Sequence, residues 1–243
     1  MKLTIIGYWG AFPAPESATS AYLLEKDDFT LLIDVGSGAI SRLQKYKDIM
    51  DIDAVILSHY HEDHIADVGV LQYGRLVKSL VRNQKDILPI YGHTEDKDAF
   101  AKLTHDYTKG IAYDPTGSID IGPFSITFLK TKHPVPCYGM RITDGEKSIV
   151  YTADTSYQNE WIPFCKDADL LVADSNFYAD QDGSGAGHMT CVEVASIAKE
   201  AKVKELILSH LPQYGNHQDL VQQASAIFSG KIRLAAEGVT WES

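Results

Sequence analysis

The segment Ser58-His59-Tyr60-His61-Glu62-Asp63-His64 constrains this chain more than any other. It follows the continuous apolar run Ala54-Val55-Ile56-Leu57, which reads as a strand buried on both faces. A stretch with helical spacing follows, from Ile65 to about Val81. In extended chain His59 and His61 point to the same side, because side chains alternate with period two. Asp63 and His64 fall where the chain turns into the helix, so they can address a neighbouring position. A lone histidine in a strand is usually packed or solvated. Three imidazoles and a carboxylate within six residues are instead a donor set that divalent metals prefer. The strand end can therefore serve two adjacent metal ions.

Four donors do not complete two metal shells, since each ion takes about four and a catalytic ion keeps one position open. Three further donor-type residues lie just past the C-terminal ends of predicted strands. His133 follows Phe124–Lys130, Asp154 follows Ser148–Tyr151, and His210 follows Leu206–Leu208. Singly, each reads as a cap or a hydrogen-bonded histidine; their common placement points to the same centre. His188 precedes Thr190, which with Glu193 forms a T-x-x-E capping box. That puts His188 beside a helix N-terminus, where free N–H groups favour an anion. The expected role is proton donor or phosphate contact.

The remaining pattern is α/β. Short strands are expected at Leu3–Gly7, Ala21–Leu24, Thr30–Ile33 and Ile90–Tyr91, and a hairpin across Asp144-Gly145 joins Tyr138–Ile142 to Ser148–Tyr151. Strand Leu170–Val172, helix Thr190–Ala201, strand Leu206–Leu208 and a helix over about 219–228 alternate in the last third. Two β-rich halves, each closed by βα units, suggest two packed sheets with helices outside. With 243 residues and no Pro/Gly/Ser-rich linker, one domain over residues 1–243 is expected.

Composition narrows the partners. The net charge of −11 repels nucleic acid and acidic membranes unless basic residues cluster, and no Lys/Arg run exceeds two residues. Cys137, Cys165 and Cys191 are odd in number and widely spaced, which suggests free thiols in a reducing compartment. No apolar window suits a signal peptide or a membrane span, so a cytoplasmic protein is expected. Asp34 reads as tightening the turn at Asp34-Val35-Gly36, and His93, His105 and His217 read as surface or loop residues. Trp9 and Phe12 suit a substrate wall, core packing or a dimer contact equally.

At these residues the sequence resembles the metallo-β-lactamase superfamily. Its H-x-H-x-D-H motif is matched by His59, His61, Asp63 and His64, and the order of later ligands by His133, Asp154 and His210. The resemblance covers nearly the whole chain and implies a four-layer αβ/βα sandwich with a dinuclear site at the sheet edges. It assigns His59, His61 and His133 to one metal, Asp63, His64 and His210 to the other, and Asp154 to both. Two divalent ions are implied, zinc first, with manganese or iron as alternatives. Formally the two cations, Asp63, Asp154 and a bridging hydroxide leave about +1, which attracts an anionic phosphodiester. Asp63 would also orient the attacking hydroxide.

Three segments resemble the ribonuclease Z-type branch: Gly7-Tyr8-Trp9-Gly10-Ala11-Phe12-Pro13, His133-Pro134-Val135-Pro136 leading to Gly139-Met140-Arg141-Ile142, and Gly187-His188-Met189-Thr190. The implied activity is phosphodiester hydrolysis on a small or nucleotide-like anionic substrate, by a homodimer. Hydrolysis of a lactone or thioester on the same centre is the alternative. Transfer-RNA 3′ processing ranks lower, because the chain is acidic and lacks a Lys-rich insertion between His64 and His133.

Overall fold

The computed structural model describes residues 1–242, which form two compact units: 1–114 with 236–242, and 115–235. Each unit is organised around one mixed seven-stranded sheet.

In the first unit, β1 (Lys2–Gly7), β2 (Ala21–Lys26) and β3 (Phe29–Ile33) form an antiparallel meander. The strands β4 (Ala54–Ile56), β5 (Leu88–Gly92) and β6 (Thr108–Ala112) extend it in parallel. A C-terminal strand, Thr240–Glu242, pairs with β1 at the other edge. Ala54, Val55 and Ile56 are all buried, as the unbroken apolar run required. Helix α1 (Ala39–Leu43) turns Ile40 and Leu43 into the core. Parallel pairing places the C-terminal ends of β3 and β4 side by side, and the loops leaving them carry Asp34 and His59.

The helix expected from Ile65 onwards begins later, as α3 (Val68–Arg82), and a separate short helix, α2 (Glu62–Ile65), precedes it. No proline or glycine marks the break. Asp67 causes it: its N–H donates to the Val35 carbonyl (3.1 Å), and its carboxylate accepts the Ile40 N–H (2.9 Å). The chain is thereby tied to the β3–α1 turn before α3 begins. A short helix, α4 (Lys97–Ala101), is capped by Asp96.

In the second unit, β7 (Ser118–Ile121), β8 (Phe124–Lys130), β9 (Tyr138–Thr143) and β10 (Ser148–Tyr151) are antiparallel neighbours. Gly145 takes φ +89° in the hairpin turn, a conformation that favours glycine. After α5 (Trp161–Phe164), the strands β11 (Leu170–Asp174), β12 (Glu205–Ser209) and β13 (Lys231–Leu234) add in parallel. Helices α6 (Cys191–Glu200) and α7 (His217–Ser225) cover them. Parallel strands put their C-terminal ends on one edge, so Asp154, Asp174 and His210 emerge together after β10, at the end of β11 and after β12.

All three cysteines are buried free thiols, as expected. Burial pushes Cys165 to about 12 and Cys191 to about 11, far from thiolate chemistry at neutral pH. No helix among the described residues is long and apolar enough to cross a membrane.

Asp169 ties the parallel half of the second sheet together. Its carboxylate accepts the Ser148 N–H (2.9 Å), Lys204 (2.8 Å) and Lys147 (3.4 Å). Burial raises its pKa, but the bonds from Lys204, Ser148 and Lys147 outweigh this and hold it below the usual carboxylate range. A group with a lowered folded-state pKa stabilises above its unfolded value and loses that contribution as pH falls through the folded value. Asp169→Asn is expected to cost about 1–2 kcal/mol at neutral pH, read by urea denaturation. The gap should close below about pH 4; a gap that is constant down to acid pH would refute the account.

Candidate metal centre

Each unit carries its own cluster of donors. In the first, His59 and His61 flank the end of β4, and their rings lie 4.9 Å apart, as the two-residue alternation required. His61 is the N-cap of α2, with extended backbone, and Asp63 and His64 occupy the first turn. The His59 and His64 rings lie 4.1 Å apart, and Asp63 Oδ2 is 3.8 Å from His64 Nε2. The four predicted donors of this segment are therefore brought together.

Asp34 organises this cluster and is far more than a turn residue. It is fully buried and accepts the Ser58 N–H (2.8 Å), the Ser58 hydroxyl (2.8 Å) and His64 Nδ1 (2.8 Å). The Ser58 hydroxyl in turn meets His59 Nδ1 at 3.0 Å. A carboxylate on Nδ1 fixes that nitrogen as N–H, so the Nε2 of His64 keeps the lone pair that a metal needs. Asp34 takes φ +57° to reach this position, and Val35 N–H donates to the His64 carbonyl (2.7 Å). Gly36 is required there: a Cβ would overlap the Asp63 carbonyl. Ala11, also at positive φ (57°), donates its N–H to Asp63 Oδ2 (2.8 Å), so the opening loop orients this carboxylate. Trp9 is half-buried and donates to Ser17 Oγ (2.8 Å), and Phe12 is 59% exposed, so neither is a core residue.

Two tyrosines hold the same segment from behind. Tyr60 points away from its histidine neighbours and donates to the His93 carbonyl (2.6 Å), with its ring 4.4 Å from the His93 ring. Tyr113 donates to the Leu57 carbonyl (3.0 Å). Contrary to expectation His93 is buried, packed between these rings. His105 is exposed, and His217 bonds the Pro212 carbonyl (2.8 Å).

In the second unit, Asp154 Oδ2 lies 3.3 Å from His210 Nε2 and 3.9 Å from His133 Nε2. His133 Nδ1 faces the Gly187 carbonyl at 3.1 Å, which makes it N–H and again leaves Nε2 as the donor atom. Asp174, Asp154, His188 and His210 can each offer a ligand atom within 4.8 Å of the others. Ala153 (φ 52°) and His210 (φ 52°) are held in left-handed backbone, which costs of order 1 kcal/mol each. Asn176 donates to the His210 carbonyl (2.9 Å) and so supports that strain. These donors fit a divalent ion: imidazole nitrogens with their opposite face fixed, and a buried carboxylate between two of them.

His188 is placed by Asp174, not by a helix terminus. The capping box forms, but it uses the Thr190 and Glu193 N–H groups, and the Cys191 N–H goes to the Phe177 carbonyl. These three donors are not left for an anion. Asp174 Oδ2 instead holds His188 Nδ1 at 2.8 Å, and the ring stacks on His210 at 5.0 Å. Burial lowers the His188 pKa, but the Asp174 charge and hydrogen bond raise it above the ordinary histidine value. Burial likewise raises Asp174, and the two histidines pull it below the usual range.

Residues 30–211 match the model of the Beta-lactamase superfamily domain. The chain is 54% identical over 243 residues to the probable metallo-hydrolase YhfI of Bacillus subtilis, with both chains fully covered. The crystal structure of that metallo-β-lactamase fold protein superposes with a TM-score of 0.99 at 53% identity, covering 100% of this chain and 99% of that one. Ribonuclease Z of Metallosphaera sedula is 25% identical over 276 residues, with 94% of each chain covered. A diphosphatase from the PhnP family shares the fold, with a TM-score of 0.81 at 18% identity over 100% of this chain and 97% of that one.

Asp34→Asn keeps the shape of the side chain, but its one oxygen cannot accept both the Ser58 N–H and His64 Nδ1, which bond opposite oxygens of the carboxylate. It is expected to weaken zinc affinity about 10- to 100-fold, read by competition with a chromogenic chelator. Unchanged affinity would show that Asp34 does not set the His64 donor.

Proposed function

The chain belongs to the metallo-β-lactamase superfamily, in its ribonuclease Z-like branch, and is a metallo-hydrolase; on that footing we propose that it hydrolyses phosphodiesters of small or nucleotide-like substrates. The ions implied are two divalent cations, zinc first and manganese or iron next. In the family pattern His59, His61 and His133 would hold one ion, Asp63, His64 and His210 the other, and Asp154 would serve both. Such ions lower the pKa of bound water and stabilise oxygen charge in the displacement.

The observation that carries the phosphodiester reading is the His188–Asp174 pair beside His210 and Asp154. Asp174 fixes His188 Nδ1 as N–H, so Nε2 is the atom that can hydrogen-bond a phosphate oxygen or protonate the leaving oxygen. Asp63, oriented by the Ala11 N–H, directs the attacking oxygen. Two relatives are named for phosphate-ester chemistry, a ribonuclease and a diphosphatase. Large nucleic acids suit this chain less. Residues 66–130 are taken up by α3, β5, α4, β6, β7 and β8 with their connections, and the net charge is −11.

Zinc- or manganese-loaded protein should hydrolyse bis(p-nitrophenyl) phosphate. Asp154→Ala is expected to lose metal and turnover together, and His188→Ala to keep metal while kcat falls about 10²–10⁴-fold. Hydrolysis of lactones or thioesters with no action on phosphodiesters would reverse the assignment. Wild-type turnover in His188→Ala would remove its role.

The protein also suits a homodimer in the cytoplasm. Val70, Tyr73, Val77, Leu80 and Val81 form an exposed apolar stripe along α3. Light scattering should give twice 26.9 kDa at micromolar concentration, and Val77→Glu should give a monomer. A wild-type monomer would refute the pairing.

A further inference from the structure

Asp174 holds His188 by a single atom, Nδ1, at 2.8 Å. That bond fixes the nitrogen but not the plane of the ring, because a carboxylate oxygen accepts over a broad range of directions. The plane decides where Nε2 points. A second contact must therefore hold the plane if Nε2 is to be aimed.

Three rings lie against His188 within the second unit. His210 stacks on it at 5.0 Å with 22° between the planes, and His133 meets it edge-on at 5.4 Å and 64°. Phe177 stacks at 6.3 Å and 28°. All three separations fall in the range of favourable ring pairs. His210 and His133 are themselves donors of the proposed centre. Phe177 has no donor atom, so a metal does not account for its place.

The backbone does not account for its ring either. The Phe177 N–H donates to the Met189 carbonyl (3.2 Å), and the Cys191 N–H donates to the Phe177 carbonyl (3.0 Å). These bonds seat the chain that leaves β11 beside the residues just after His188. Any residue except proline supplies the same two groups. The aromatic side chain is an addition to that pairing, and it is half-buried where it meets His188.

Gly183 is fitted to the same ring. Its φ of −90° is open to every residue, so conformation does not demand glycine there. Close approach does: a Cβ would lie 2.7 Å from Phe177 Cδ2 and 2.7 Å from the His188 carbonyl oxygen. The His188 N–H also donates to the Gly183 carbonyl (3.0 Å). The loop thus closes on the His188 backbone and on the Phe177 ring at one point.

We infer that Phe177 is a positioning residue for His188: its ring holds the imidazole plane while Asp174 holds Nδ1, and together they aim Nε2. For its catalytic consequence the inference rests on the phosphodiesterase reading; for the ring plane it does not. A stacked ring resists turning of its partner, because turning breaks contact across the whole face. A branched aliphatic side chain fills part of the same space without offering a flat face.

Hydrolysis of bis(p-nitrophenyl) phosphate by zinc-loaded protein reads the catalytic consequence. Phe177→Leu keeps apolar bulk and both backbone bonds. It is expected to lower kcat about tenfold, within the roughly 10²-fold that an ångström of misplacement costs. KM and zinc content should stay as in the wild type, and Phe177→Tyr, which keeps the ring, should restore kcat. In a His188→Ala background Phe177→Leu should cost nothing further, since the group it aims is gone. A loss that persists in the double variant would overturn the assignment, as would undiminished kcat in Phe177→Leu where His188→Ala is slow. Crystal structures of zinc-loaded wild type and Phe177→Leu need no turnover. The variant is expected to keep the Asp174 contact while the His188 ring turns out of its 22° stack on His210. A ring that holds its wild-type plane would overturn the assignment. If no diester is hydrolysed, or if His188→Ala is fully active, the phosphodiester role of His188 falls, while a turned ring still sustains the positioning.

Discussion

A buried carboxylate with no solvent to share its charge must be satisfied by the protein. At Asp34 three donors do this: the Ser58 N–H, the Ser58 hydroxyl and His64 Nδ1. Much of the first cluster follows from that requirement. The carboxylate sits at the end of β3, beside the end of β4, because the two strands pair in parallel. It fixes the tautomer of His64 directly and touches His59 through the Ser58 hydroxyl. The left-handed backbone at Asp34 and the absent side chain at Gly36 are local costs of bringing the two loops together.

The second unit solves the same problem with different residues. Asp174 ends β11 and holds His188, while its other oxygen lies 3.6 Å from His210 Nδ1. The Gly187 carbonyl does for His133 what Asp34 does for His64. In both units the donors stand on the C-terminal ends of strands, and groups on neighbouring strands or loops aim them. Strand ends are rigid because the ladders behind them are complete, so the aim is set before any ligand arrives.

The donors themselves were legible in the sequence, because they are local patterns. Alternation put His59 and His61 on one side, and apolar runs put His133, Asp154 and His210 at strand ends. What aims them was not legible. Asp34 has the composition of a turn, and its partners lie 24 and 30 residues away. Asp174 carries no local signal, since its partners His188 and His210 lie 14 and 36 residues away on other segments. The burial of His93 depends on Tyr60 and Tyr113 arriving from separate segments. The capping box at Thr190 forms as its T-x-x-E pattern requires, yet the same box consumes N–H groups that a helix N-terminus otherwise offers to an anion. The break before α3 has no proline or glycine, because a tertiary hydrogen bond at Asp67 makes it. Strands β6, β7, β13 and the C-terminal strand have no clear sequence signal, being short and partly exposed.

In the proposed centre the Nδ1 faces of His64 and His133 are held by Asp34 and the Gly187 carbonyl, which leaves their Nε2 atoms for a metal. A crystal structure of the zinc-loaded protein, with anomalous data across the zinc edge, tests it most directly. The expected result is two zinc peaks per chain, with His64 and His133 ligating through Nε2 and their contacts to Asp34 and Gly187 retained. Ligation through Nδ1, with those contacts broken, or zinc bound away from these histidines would contradict it.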